Sequence, residues 1–179
     1  MNQKEIELRL KGALCPINNA FGNSILFTKK YRSIKKLDAM LLERCEKYNL
    51  EIDSIQRKYK HMSIDNDYKT FELVNMAIGC LGNKASSFGT SYCVAHDKNL
   101  HRELKKRLEK IGPIGTSPSS GKTSNIIGKC AEVKAANPVL RGEKGICIIN
   151  LKFTPARRPR TLQKHRTCSN CQETFGLTE

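Results

Sequence analysis

Two short cysteine motifs, far apart in the chain, place the tightest limit on how it can fold. Cys130-Ala131-Glu132 stands 38 positions before the first cysteine of Cys168-Ser169-Asn170-Cys171. Three thiolates on one ion would require the segments around residues 130 and 170 to lie side by side, with the intervening chain leaving and returning. A Cys-x-x-Cys pair offers two sulfurs from a single turn. Three protein thiolates leave one position of a tetrahedral zinc shell for solvent or substrate. In mid-helix, Glu132 would point about 200° away from Cys130. In a first helical turn its longer side chain can curl back and exchange protons with whatever fills the open position. A closed, structural shell is the competing reading, with His165 or Cys147 as the fourth ligand.

Charge narrows the class of partner. The chain of 179 residues carries 32 Lys and Arg against 17 Asp and Glu, a formal net charge of +15. Such a surplus favours a polyanionic partner, nucleic acid above all. Arg157, Arg158, Arg160, Lys164 and Arg166 precede the second cysteine motif with no acidic residue among them, a run suited to phosphate contacts. Ser120 and Asn125, in a Gly/Pro/Ser/Thr-rich loop, are candidates for a substrate pocket.

The eight cysteines could in another setting form disulfides. No signal-peptide pattern is visible at the N-terminus, so the thiols are expected to be reduced and open to metal. The expected location is the cytoplasm, or a target cell reached by a secretion route that needs no N-terminal signal. No apolar run approaches the ~20 residues of a membrane span, so no membrane partner is expected.

Periodicity divides the chain into two parts. Residues 2–11 read as a short charged helix. Residues 31–50 read as a clearer one, with Leu37, Met40, Leu41, Leu42, Cys45 and Tyr48 at helical spacing. Phe71, Val74, Met76, Ala77 and Leu81 suggest another helix ending at Gly82. Residues 1–84 are therefore expected to be a helical region of unknown role, with Cys15, Cys45 and Cys80 as small buried side chains. In residues 85–179 the order changes to strand (Ser87 to Val94), basic helix (Asn99 to Ile111), loop, helix from Cys130 to about Asn137, buried strand (Gly145 to Phe153), basic loop and final helix. Pro138 is expected to end the helix that starts at Cys130. This alternation predicts an α/β layer with both cysteine motifs at helix N-termini, where partial positive charge favours thiolates.

Cys130-Ala131-Glu132 with Cys168-x-x-Cys171 resembles the zinc-dependent nucleoside and nucleic-acid deaminase superfamily, most closely its bacterial toxin-type members. The likeness covers residues 86–179. It departs from the family at Thr167, where many members carry Pro, and in ending eight residues after Cys171. It implies a three-layer fold, a deaminase-like sheet sandwiched by helices, with Zn2+ held by Cys130, Cys168 and Cys171 and Glu132 as proton shuttle. It further implies hydrolytic deamination of a base, cytosine to uracil foremost, in single-stranded or flipped-out DNA or RNA, and an immunity protein as a partner. A free nucleoside or nucleotide deaminase and a non-catalytic zinc module that binds nucleic acid are the alternatives.

Overall fold

The computed structural model describes residues 4, 8, 26–27, 33–58, 73–92, 94–95, 97–118 and 123–177. The helix expected over 2–11 lies outside them except for Lys4 and Leu8, both helical. At the centre is an antiparallel sheet. Its strands are β1 (Leu26–Phe27), β2 (Ala77–Leu81), β3 (Ala85–Thr90), β4 (Lys152–Phe153), β5 (Ala156–Arg157) and β6 (Lys164–His165). The order across the sheet is β1-β3-β2-β5-β6, with β4 also paired to β2.

β2 and β3 form the core hairpin, in register from Ala77↔Thr90 to Leu81↔Ser86. The region 77–81 is therefore a strand, not the helix its apolar spacing suggests, and Gly82 belongs to a tight turn. Ala77, Ile78, Gly79 and Cys80 are buried on both faces of the sheet, so the two-residue alternation that marks a half-buried strand is absent. The expected boundary at 84/85 falls in this β2–β3 turn, and the sheet draws strands from both sides of it. Glu143 secures the turn: its buried carboxylate accepts the backbone N–H groups of Asn83 (3.0 Å), Lys84 (2.7 Å) and Ala85.

Helices cover both faces. Helix α1 (Ile34–Lys58) starts at Ser33, whose hydroxyl accepts the Lys36 N–H, a standard N-cap. It runs beyond the expected end near residue 50, because Ile52 and Ile55 continue its apolar stripe. Leu37, Leu41, Cys45 and Tyr48 pack with Ala77 and Phe88 on one face. Ile78, Cys80 and Ala85, on the other face, join α2 (Arg102–Ile111), α3 (Ala131–Gly142) and α4 (Ser169–Phe175) in a second apolar cluster. Gly89 lets α3 approach: a Cβ at that position would lie 2.1 Å from the Ala131 carbonyl oxygen and 2.3 Å from the Ala135 nitrogen. The Ser87 hydroxyl donates to the Ala135 carbonyl from the same face.

Two further expectations give way. Pro138 lies inside α3, which continues to Gly142. Pro removes one backbone donor from a helix, and the buried Val139 and Leu140 beyond it hold the next turn against the sheet. The expected strand over Gly145 to Phe153 is a loop, a 3-10 turn (Ile148–Asn150) and then β4. Only Ile148 of that turn is buried; Cys147 and Ile149 are exposed. Pro155 separates β4 from β5, and Thr154 bridges the gap to Gly79 by its backbone N–H and its hydroxyl, both at 2.9 Å. Among the described residues no helix is long and apolar enough to cross a membrane.

Candidate metal centre

Both cysteine motifs open helices. Cys130 is the N-cap of α3 and Cys168 the N-cap of α4, each with extended backbone (φ −61°, ψ 145° and φ −74°, ψ 158°). Neither side chain makes a capping hydrogen bond to its own helix, and the two sulfurs meet instead. Cys130 Sγ and Cys168 Sγ are 3.4 Å apart. With Cys171 Sγ, one turn into α4, all three sulfurs lie within 4.8 Å of one another. Metal–sulfur bonds of about 2.3 Å at tetrahedral angles place sulfurs about 3.8 Å apart, so the set can close on an ion with small movements. Three soft thiolates and no oxygen donor suit a soft or borderline metal. Among the described residues, no histidine, carboxylate or further cysteine joins the group. Cys147 is exposed on its loop, and His165 lines the neighbouring cavity without entering the set.

The three sulfurs shift one another's protonation in opposite directions. Hydrogen bonds from Cys130 and Cys171 hold Cys168 well below the usual thiol range. Cys130 is pushed up, chiefly by its hydrogen bond with Cys168. Cys171 is raised by its place in the same cluster, with burial adding to the effect. The Asn125 side chain also favours the Cys168 thiolate, and the Asn125 carbonyl accepts a hydrogen bond from Asn170 Nδ2 at 2.9 Å. Asn170 is thus the buried residue that ties the 123–130 segment to α4.

Glu132 occupies the first turn of α3 and is only 6% exposed. Burial pushes its carboxyl up, and the Cys168 thiolate reinforces the rise. It lines a cavity of about 700 Å³ together with Cys130 and Cys168. Asn75, Met76, Ser91, Lys129 and Thr167 also line this cavity. The sequence offered none of these as a site residue: Asn75 and Met76 lead into the strand read as a helix, and Lys129 and Thr167 adjoin the cysteine motifs.

The basic run divides. Arg157 is buried against α1, with Nε 3.0 Å from Asp38 Oδ1 and Nη2 2.7 Å from Asp38 Oδ2. Arg160 Nη1 is 2.9 Å from Asp53 and 3.3 Å from the Asn49 side chain. Arg157 thus fastens β5, and Arg160 the β5–β6 turn, to α1. Arg158, His165 and Arg166 line the cavity, and Lys164 is exposed on β6. Asn125 lines it too, whereas Ser120 lies outside the described residues. Phe153 and Phe175 pack edge-to-face at 5.0 Å, as their expected place in the core requires. No protein-family model matches this chain, and no match was found among curated proteins or solved structures.

Proposed function

We propose that the protein is a zinc-dependent hydrolytic deaminase of a nucleic-acid base, with cytosine to uracil as the favoured conversion. The observation that carries this reading is the meeting of Cys130, Cys168 and Cys171 beside a buried carboxyl, Glu132, on the wall of one cavity. Cys130, Cys168 and Cys171 would hold a zinc ion, which would supply Lewis-acid activation of water. Glu132 takes one proton from the water and delivers it to the ring nitrogen, then takes the second from the newly added hydroxyl and passes it to the departing amine. The base-NH2 and H2O become base=O and NH3. Its raised affinity for a proton suits a group that must both accept and release one near neutral pH.

The cavity wall also fits an anionic substrate. Lys129, Arg158 and Arg166 bring positive charge to it, and Glu132 is its sole acidic lining residue among those described. A phosphate-bearing base satisfies these groups better than a free nucleoside. By its resemblance to toxin-type deaminases, we assign the protein an effector role, with a cognate immunity protein as partner.

The test is sequencing of mixed DNA and RNA oligonucleotides, with free cytidine assayed in parallel, after incubation with zinc-loaded protein. Wild type is expected to convert one base type in the oligonucleotides and to leave cytidine nearly unchanged. Glu132→Gln should keep its zinc content and melting profile and lose turnover by roughly 10²-fold or more. Equal turnover by Glu132→Gln, or one tightly closed zinc shell that admits no solvent ligand, would refute the proposal.

A further inference from the structure

Helix α2 and the 3-10 turn before it (Asp97–Asn99) carry a ridge of cations that the candidate site does not use. Lys98, Arg102, Lys106 and Lys110 recur every four residues, and all four are exposed. At 1.5 Å per residue, Arg102 to Lys110 spans about 12 Å along one side of the helix. The three acids in the same stretch are already engaged. Lys105 Nζ lies 2.9 Å from Asp97 and 3.7 Å from Glu109, and Arg107 Nε lies 3.4 Å from Glu103. No ion pair among the described residues involves the four ridge cations.

The other side of α2 is spent on the core. Leu104 and Leu108 are buried, and Leu100 and Ile111 pack against the same cluster. Nothing apolar remains on the helix to enter a bilayer, so the ridge lacks what a membrane-surface helix requires. A regular row of charges with no adjoining apolar surface matches an equally regular row of opposite charges. Duplex nucleic acid offers one phosphate per ~1.7 Å of axis. Helix α2 also lies against α4, which carries two of the three clustered cysteines: Arg107 Nη1 donates to the Thr174 carbonyl at 3.0 Å.

We infer that the Lys98–Arg102–Lys106–Lys110 ridge is a docking surface for the phosphate backbone of nucleic acid. It positions the strand without reading its sequence. This assignment is independent of the chemistry at the cysteine cluster.

The experiment compares two triple variants of the full chain. Arg102→Gln/Lys106→Gln/Lys110→Gln removes ridge charge. Lys35→Gln/Lys36→Gln/Lys47→Gln removes the same charge from exposed positions on α1, across the sheet. Binding to a fluorescent 20-mer, single-stranded and duplex, is followed by anisotropy across a salt series, with circular dichroism as the folding control. The ridge variant is expected to lose roughly tenfold or more in affinity, and its log–log salt slope on single strands to fall by about 2. The α1 variant should stay near wild type. Equal losses in both variants, or no loss in the ridge variant, would overturn the assignment. So would a ridge variant that loses binding to phosphatidylserine vesicles or polyglutamate and keeps the oligonucleotide. Turnover is not read, so intact docking without deamination would sink only the proposed chemistry, and lost docking specificity would sink only the ridge.

Discussion

Arg157, the last residue of β5, turns to Asp38 on α1, while Ala156 before it and Arg158 after it line the cavity on the other side. The two arginines are chemically equal and adjacent, and a charge run cannot tell them apart. What separates them is strand alternation, together with an acidic residue that arrives from position 38. Removing Arg157 leaves the Asp38 carboxylate half-buried and unpaired and frees the Leu162 carbonyl that Arg157 Nη1 also contacts. Arg157→Ala is expected to cost about 2 kcal/mol in urea unfolding, with little effect on oligonucleotide affinity. Arg158→Ala should do the reverse. Because Trp is absent, circular dichroism is the suitable stability probe. A stable Arg157→Ala that loses binding would show that the ion pair opens to meet ligand.

At the scale of elements, the cysteine motifs were legible because each carries its own local signal. Helix starts were readable from Cys130 and Cys168, and the basic α2 from Leu100, Leu104 and Leu108. The strand β2 was not legible. Ala77, Gly79 and Cys80 are small and buried, and they owe their strand conformation to pairing with β3, which no local pattern announces. Pro138 misled in the opposite direction, because packing of Val139 and Leu140 outweighs one missing hydrogen bond. Gly89 shows how strictly the sheet–helix contact is set. Gly89→Ala would drive a methyl group into the α3 backbone and is expected to cost about 3 kcal/mol. Since α3 carries Cys130, the same substitution should weaken zinc binding, measured by competition with a chromogenic chelator. A variant with lowered stability and unchanged zinc affinity would show that α3 does not position the sulfur.

For the whole molecule, the expected mixture of helices and sheet holds, but one face of the sheet is covered by α1, from the region expected to stand apart from that layer, and the partition of charge between structure and surface became visible only in three dimensions. The core also sets an alkaline limit. Burial pushes Cys45 from 9.0 up to about 11, and burial raises Cys80 as well. A thiol with a raised folded-state pKa contributes its full stability below the unfolded value and loses it as pH climbs to the folded one. Cys45 alone should therefore lower the unfolding free energy by of order 1–2 kcal/mol between pH 9 and 11, and Cys45→Ala should lessen the total decline by that amount in urea titrations. An unchanged slope would place the alkaline sensitivity elsewhere.

The meeting of Cys130 with Cys168 and Cys171 has one more consequence. An ion bridging them would staple the starts of α3 and α4 together and close a loop of 38 residues, leaving the unfolded chain fewer arrangements. Hydrogen–deuterium exchange should then register occupancy directly. Amides of Ser169–Phe175 are expected to exchange at least tenfold faster after chelation, while those of β2 and β3 hold their protection. The last helix would thus serve as the molecule's own gauge of metal supply, and uniform exchange with and without chelator would show that the sulfurs hold no ion.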